Sequence, residues 1–147
     1  EIKEAQQYLY HPGISVVRDA QTATRAGRVH GMHDPTEGGL AGALWELAEA
    51  SQRQLAIDRQ AIYVPPLAAR VCAVFGLDPL ATIASGALLI ASAKEDALAI
   101  RRALESEGIA CVEIGGVEEG PAAVWQTDGS PLPRPARDEI ARMFAEN

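Results

Sequence analysis

The stretch "HDPTEGGLAGALWELAEAS", residues 33–51, decides the fold, because a loop turns there into an amphipathic helix. Glu46 and Glu49 lie away from the apolar stripe of this helix and are typical of a solvated face. The stretch therefore predicts a helix over about residues 39–51 that packs on a core. The stripe follows the i, i+4, i+7, i+8 spacing of a core-facing helix and consists of Leu40, Leu44, Leu47, Ala48 and Ser51.

The loop before this helix permits two interpretations. Asp34 as N-cap, Pro35 at the first helical position and Glu37 at the third would form a capping box that needs no ligand. Gly38 and Gly39 would then lie in the second turn at a cost of about 1 kcal/mol each relative to alanine. Glycine is favoured where another group approaches the backbone closely, and an anion fits a helix N-terminus because free N–H groups converge there. A plain cap with packing glycines and an anion site both stay open at this point.

The bulk properties describe one domain with an acidic surface. The chain has 147 residues, a formal net charge of −7 and 48% hydrophobic residues, enough for one sizeable core. A net negative field repels phosphate backbones, so no nucleic-acid partner is expected. The apolar run "ALLIA" at 87–91 is far shorter than the ~20 residues of a spanning helix, so no membrane partner is expected either.

The start of the chain suggests a piece of a larger protein, and the cysteines suggest a reducing compartment. The chain begins at Glu1 without a methionine or a signal-peptide pattern, so residues 1–147 are expected to be a single domain cut from a cytoplasmic protein. Cys72 and Cys111 lie in apolar segments, which predicts buried free thiols in a reducing compartment.

The first half of the chain alternates helices with short extended segments. Residues 1–28 are expected to be a helical segment, in which "HPG" at 11–13 separates a helix over 2–10 from a weaker one over 14–27. Beyond the central helix and the extended residues 29–34, the pattern predicts a strand over 54–58 and a helix over 67–75 that stops at Gly76.

The second half predicts a strand, a helix and two further strands. The apolar run 87–92 fits a strand covered on both faces, and a capping box from Ser92 to Glu95 opens a helix that ends at Gly108. Strands over 109–117 and 122–126 are expected to pair across the "EEG" turn. Residues 127–147 read as a Pro-rich connection and a last helix. The expected fold class is α+β, a layered α/β/α arrangement with a mixed β-sheet that is partly ferredoxin-like.

Four segments together resemble a known family. "MHDPTEGGLAGALWELAEAS" is similar to the "DPTRGGLA" motif of HypE-type hydrogenase maturation proteins. These belong to the ATP-dependent superfamily that also holds aminoimidazole ribonucleotide (AIR) synthase, selenophosphate synthetase and thiamine-monophosphate kinase. "HPGISVVRDA", "ASGALLIAS" and "GGVEEGPAAVW" followed by "PLPR" are also similar to their C-terminal domain, so the resemblance covers almost the whole chain.

The resemblance implies the second domain of a two-domain enzyme. In the family an N-terminal domain forms a dimeric barrel with the main ATP and Mg2+ ligands, and the C-terminal domain closes the cleft. The implied partners are the chain's own N-terminal ATP-binding domain, a second copy in a full-length homodimer, and a maturation protein. Carried over residue by residue, the phosphate or substrate end of the cleft would be lined by Asp34, Thr36, Glu37, Gly38 and Gly39, beside a turn formed by Ser85 and Gly86.

Two departures from the family pattern bear on the chemistry. Glu37 stands where the motif has arginine, which places an acid where a cation would favour phosphate. HypE proteins end in a Pro-Arg-Ile-Cys peptide whose cysteine accepts a carbamoyl group. Here "PLPR" ends at Arg134, and Pro135 and Ala136 follow in place of isoleucine and cysteine. The cyanide-ligand chemistry of those proteins is therefore unsupported in this chain.

A metal site is not predicted from the histidines. In an extended segment His30 and Asp34 face one way and His33 faces the other, so the three side chains do not converge.

Two hypotheses of different classes follow. In the first, the chain is the C-terminal domain of an ATP-dependent enzyme, inactive alone, that forms one wall of a cleft where phosphoryl transfer activates an oxygen-bearing substrate. In the second, it is a non-catalytic anion-binding, regulatory or dimerisation module.

Overall fold

The computed structural model describes residues 2–144 and contains both helices and short strands. The helices are α1 (Ile2–Gln7), α2 (Val17–Ala26), α3 (Gly39–Ser51), α4 (Pro66–Phe75) and α5 (Ala97–Ser106). The strands are β1 (Val29–His33), β2 (Gln54–Ile57), β3 (Leu89–Ser92), β4 (Gly115–Glu118) and β5 (Ala123–Gln126).

Helix α3 lies between two sheets and contributes four buried residues to the main core. Its bounds agree with the prediction, and Leu44 and Ala48 of the predicted stripe are buried. The predicted stripe is too narrow, because Ala41 and Ala43 are buried as well while Ser51 is exposed. A helix apolar on more than one side is expected where both sides meet protein. The buried strand and loop residues of this core are Leu55, Ile57, Leu80, Leu89, Val124 and Leu132.

The larger sheet has three strands in the order β4, β2, β5. Strand β2 pairs antiparallel with β4 and parallel with β5, so the sheet is mixed, as predicted. The residues of β2 alternate in burial, with Leu55 and Ile57 facing α3 and its core. The smaller sheet is the antiparallel pair of β1 and β3.

Strand β3 lies between two cores, as the apolar run predicted. Leu89 packs in the core of α3, while the next residue, Ile90, packs against a second core built from Ala23 of α2 and Ile100 and Leu104 of α5. Successive strand residues point to opposite faces. The layers therefore run from α2 and α5 through the two-stranded sheet to α3 and the three-stranded sheet, which confirms the predicted mixed α/β fold class.

The predicted pairing of residues 109–117 with 122–126 is wrong. Residues 109–114 form no strand. The strand that begins at Gly115 is β4, and it pairs with β2 instead of β5. All four residues of β4 are exposed, whereas β2 has two buried side chains and pairs along both of its edges. Strand β2 therefore takes the central place, and the "EEG" turn does not close a hairpin between β4 and β5.

The capping box predicted from Ser92 to Glu95 is not formed. Ser92 is the last residue of β3, and a 3-10 turn over Lys94–Asp96 precedes α5. Asp96 accepts a hydrogen bond from the backbone N–H of Arg28 at 2.9 Å, and Glu95 pairs with the Arg28 side chain at 2.5 Å. The acidic residues thus tie α5 to the start of β1.

Both ends of the chain are less regular than predicted. The first helix ends at Gln7, and a π-helical turn over Leu9–Gly13 with a cis His11–Pro12 bond leads to α2. The predicted last helix is a 3-10 turn over Glu139–Met143, and residues 145–147 lie outside the described residues.

Neither cysteine forms a disulfide. Cys72 is buried, as predicted, whereas Cys111 is half-buried. Burial, together with nearby Glu105, raises the pKa of the Cys111 thiol. In the part of the chain that the structure describes, no helix is long and apolar enough to cross a bilayer.

Truncating the buried Leu44 side chain of α3 should destabilise the fold strongly. Leu44 is 1% exposed, so Leu44→Ala removes a fully packed side chain and should lower the free energy of unfolding by about 2–5 kcal/mol. Urea denaturation measures the change. The matched control is Leu98→Ala on α5, where the side chain is 47% exposed and the expected loss is below about 1 kcal/mol. Equal losses in the two variants would contradict the central position of α3.

An ion pair between α2 and the end of α5 should shift a titration. Arg18 Nε lies 2.6 Å from Glu107 Oε2, and the Thr22 hydroxyl donates to Oε1 at 3.0 Å; both contacts lower the pKa of Glu107. This contribution to stability is present above the ordinary carboxyl pKa and is lost as the pH falls through the lowered value. Arg18→Gln should raise the pKa of Glu107 in a carboxyl NMR titration, and Arg102→Gln, at an exposed position of α5, should leave it unchanged.

Candidate functional site

An open groove of about 520 Å³ lies between the start of α3 and the C-terminal segment. Glu37, Gly38, Gly42 and Glu46 line its α3 side, and Ile83 also lines the groove. The opposite side consists of residues within 134–141. Of the predicted site residues, Glu37 and Gly38 line this groove, whereas Asp34, Thr36, Gly39, Ser85 and Gly86 do not.

Gly38 is the N-cap of α3 and lies in the left-handed region at φ 78°. Its N–H donates to Asp138 Oδ2 at 2.8 Å, and Asp138 Oδ1 accepts from the N–H of Ile140 at 2.9 Å. Of the two interpretations of the loop, the capping box of Asp34 and Glu37 is not formed, because the carboxylate at the helix start comes from a residue 100 positions later in the chain. The side chain of Asp34 is exposed, while Pro35 is fully buried.

Gly39 is required by the protein's own backbone. It has φ 60°, and a Cβ at this position would lie 2.5 Å from the carbonyl oxygen of Thr82 and 2.6 Å from that of Leu80. The N–H of Ala41 donates to the same Leu80 oxygen at 2.8 Å. Close approach of the 80–82 segment therefore accounts for this glycine without a ligand.

The loop still presents unused donors. Gly39 N–H donates to Thr36 O at 3.0 Å, but the N–H groups of Thr36, Glu37 and Leu40 donate to no other residue within 2–144. Thr36 and Glu37 are exposed. These donors lie at the positive end of the α3 dipole, which favours an anion.

The predicted turn at Ser85 and Gly86 is present but lies outside the groove. The N–H of Ala87 donates to Ala84 O at 3.1 Å, and Gly86 has φ 96°. A Cβ on Gly86 would lie 3.1 Å from Gly13 O, so this glycine packs on the segment before α2. The role of this turn at a cleft stays a prediction.

The C-terminal segment brings cations that the sequence interpretation missed. Arg134 pairs with both carboxylate oxygens of Glu49 and lies 6.0 Å over the Trp45 ring. Trp45 in turn donates its indole N–H to Leu132 O at 3.0 Å. Arg137 is exposed at the groove and forms no ion pair with residues 2–144. An Asp before the apolar residues Ile140 and Met143 is a typical N-cap, so this role of Asp138 could be predicted from the sequence. Its contact with Gly38 could not be predicted, because the two residues are far apart in the chain.

His33 contacts a carboxylate beside the loop. Its Nε2 contacts Glu46 Oε2, and its Nδ1 lies 4.0 Å from Asp34 Oδ1. Glu46 and Glu49 are exposed, as predicted, although each holds an ion pair. No group of three His, Cys, Asp or Glu side chains within residues 2–144 is arranged to hold a metal ion.

The chain belongs to the family described as AIR synthase related protein, C-terminal domain, which matches residues 6–126. The match includes the loop, α3 and all five strands, and it ends before the C-terminal side of the groove. The family accordingly defines a class of layered α/β domains without specifying a substrate.

Within this class the chain is similar to HypE proteins. It is 40% identical over 75 residues to carbamoyl dehydratase HypE of Rhizobium leguminosarum bv. viciae, covering 51% of this chain and 21% of that protein. The crystal structure of E. coli HypE, a hydrogenase maturation protein, superposes with a TM-score of 0.75 at 28% identity, over 87% of this chain and 42% of that one. A HypE structure in complex with ATP gives a TM-score of 0.69 at 27% identity, over 80% and 39% of the two chains. The chain thus spans about a fifth of the curated relative and two fifths of the solved structures.

A methyl group at Gly39 should destabilise the fold more than a methyl group at another left-handed glycine. Gly39→Ala combines a strained φ with a clash against two carbonyl oxygens, whereas Gly76→Ala, at φ 64°, meets nothing within 4 Å. The left-handed conformation alone costs about 1–2 kcal/mol. We expect Gly39→Ala to lower the free energy of unfolding by clearly more than Gly76→Ala in urea denaturation. Equal values would show that the 80–82 segment moves away without cost.

Proposed function

We propose that the chain is the C-terminal domain of an ATP-dependent HypE-like enzyme and forms one wall of its nucleotide and substrate cleft. Family membership across residues 6–126 supports this, as does the likeness to a HypE structure in complex with ATP. The observation that carries the proposal is the set of unused N–H donors at Thr36, Glu37 and Leu40.

The proposed chemistry is phosphoryl transfer that activates an oxygen of the substrate. ATP bound in the cleft would supply the phosphoryl group. This chain would contribute electrostatic stabilisation, because backbone N–H groups aimed at developing negative charge act without reorganising. Thr36, Gly38 and Gly39 would face the phosphate or substrate end, and Ser85 and Gly86 would form the adjoining turn. Gly38 can donate there only when Asp138 has left it.

The Mg2+ that accompanies ATP in the family finds no ligand cluster in residues 2–144. We therefore propose that its ligands lie in the N-terminal domain. The isolated domain is accordingly proposed to be inactive.

Two departures from the family motif change the chemistry of the proposed site. Glu37 places a carboxylate where the family has arginine, while the exposed Arg137 lines the same groove from the opposite side. Arg137 is proposed to supply the positive charge that position 37 lacks. With Pro135 and Ala136 after Arg134, the carbamoyl acceptor is not a cysteine at that place in this chain.

The proposed partners are the N-terminal ATP-binding domain, a second copy in a homodimer and a maturation protein, in a cytoplasmic setting. A surface suited to the first of these is the exposed apolar N-terminal segment, where single side chains are left without cover. Its exposed residues are Leu9, Tyr10, Ile14 and Val17.

The alternative is a non-catalytic anion-binding, regulatory or dimerisation module. The contact of Asp138 with Gly38 favours it, because a helix N-terminus filled by the protein's own carboxylate needs no nucleotide.

An NMR titration with ATP, ADP and inorganic phosphate separates the two functions. The proposed cleft wall predicts amide shifts at Thr36 to Leu40 and at Ser85 and Gly86, in the chain alone or in the full-length protein that carries it. Gly38→Val should abolish the shifts. Gly129→Val, at a similar φ of 84° in a distant turn, should leave them unchanged.

Two results would count against the proposal. Unchanged amides in the full-length protein at millimolar ATP would assign the loop to helix capping alone. Appreciable ATP hydrolysis by the 147-residue chain would contradict its role as a wall without catalytic ligands.

A further inference from the structure

We propose that the exposed side of α4 and an arginine-lined groove beside it together bind an acidic, amphipathic peptide segment of a protein partner. The inference goes beyond the proposed function and does not rest on it. Arg59 and Arg142, two of the cations that carry it, do not line the groove at the start of α3.

Helix α4 is apolar on nearly all sides, yet most of it is uncovered. Its ten residues include a single charged side chain, and only two of the ten are buried. A helix of this composition is ordinarily buried on all sides. Val71, Val74 and Phe75, here named the α4 face, are neighbours at i, i+3 and i+4 spacing, and Val74 and Phe75 are 78% and 52% exposed. A contiguous exposed apolar patch of this kind is typical of a surface that meets another molecule.

A second open groove, of about 610 Å³, begins at the C-terminal end of α4 and is here named the arginine groove. Gly76, which follows Phe75 directly, lies in its wall, so the groove adjoins the α4 face. Its apolar lining includes Pro133 and Pro135. Its charged lining consists of four arginines and two carboxylates, namely Arg59, Arg134, Arg137, Arg142, Asp78 and Glu139.

The balance of charge in the arginine groove is opposite to that of the whole chain. The chain has 20 acidic side chains against 13 lysines and arginines and a formal net charge of −7, whereas arginines outnumber carboxylates in the groove. A positive patch on an acidic protein attracts acidic segments and disfavours basic ones. Two copies of this chain repel each other through their net charge. The charges therefore favour an acidic segment of a different protein as the occupant.

The arginines of the groove are held in ion pairs that a ligand can replace. Arg59 Nη2 lies 3.0 Å from Asp78 Oδ2, and Arg142 pairs with Glu139. The side chains of both arginines are partly exposed, and ion pairs in contact with water contribute little to stability. Carboxylates of a peptide can accept two parallel hydrogen bonds from each guanidinium group in place of the present partners.

The two parts of the surface call for two kinds of side chain on one ligand. Apolar side chains would cover the α4 face, while Asp and Glu side chains would bind in the arginine groove. A small anion would use the groove alone and leave the α4 face in water. Because the two parts adjoin at Gly76, a peptide that carries both kinds of side chain fits the surface better than a small anion.

Selection from a phage library of short random peptides, with the full-length protein as the target, tests what the surface binds. We expect the enriched peptides to combine Asp or Glu with Leu, Ile or Phe, and basic peptides to be depleted. Fluorescence polarisation with a labelled enriched peptide then gives its Kd. Absence of enrichment, or enrichment of peptides without acidic residues, would overturn the proposal.

Two variants test where the enriched peptide binds. Val74→Glu places a charge in the α4 face, and Arg142→Gln removes a cation from the arginine groove; each should weaken binding about tenfold, because one part of the surface no longer matches the peptide. The matched controls, Leu98→Glu and Arg102→Gln, make the same changes at exposed positions of α5 and should leave the Kd unchanged. Unchanged urea midpoints check that the variants fold. A Kd that neither Val74→Glu nor Arg142→Gln alters would overturn the proposal.

Two further results would identify a different occupant and likewise overturn the proposal. Weaker binding in Arg142→Gln but not in Val74→Glu would mean that the groove binds anions through charge alone. Dimerisation in sedimentation velocity that Val74→Glu abolishes would make a second copy of the chain the occupant. Neither result bears on the proposed function, which is tested separately by the response of the amides of residues 36–40 to ATP.

Discussion

The close approach of residues 80–82 to the first turn of α3 is the constraint on which the site depends. One short stretch of backbone offers the Leu80 carbonyl to Ala41 and the Ala81 carbonyl to Glu139. The stretch can come this near only because Gly39 has no side chain. The helix, the turn before β3 and the C-terminal segment are therefore held in register by main-chain hydrogen bonds.

The hydrophobic periodicity of the sequence predicted the central helix and the buried strand. The stripe around Leu44 located α3, and the apolar run containing Leu89 and Ile90 correctly indicated a strand between two cores. The order of the strands could not be predicted from periodicity, because β2 is separated from both of its neighbours in the sheet by more than 50 residues. A hairpin between sequence neighbours is the natural guess, and the buried side chains of β2 override it.

The candidate site shows the same division. The sequence indicated that a glycine pair at a helix start needs a special reason, and the structure supplies different reasons for its two members. Gly38 adopts a left-handed N-cap and Gly39 makes room for backbone. A cap by Asp34 was one of two interpretations, because an N-cap is sought next to its helix, whereas Asp138 reaches Gly38 through tertiary structure. Family resemblance located the loop, but it could not reveal the C-terminal side of the groove, which lies beyond the matched residues.

The anchoring of Arg134 has a quantitative consequence for the groove. Asp138 follows only four residues later, so the distance that its carboxylate can wander from Gly38 is short. A group tethered in this way acts at an effective concentration on the order of millimolar or above. The N-terminus of α3 is therefore capped by the chain's own carboxylate as long as the C-terminal segment stays anchored at Arg134.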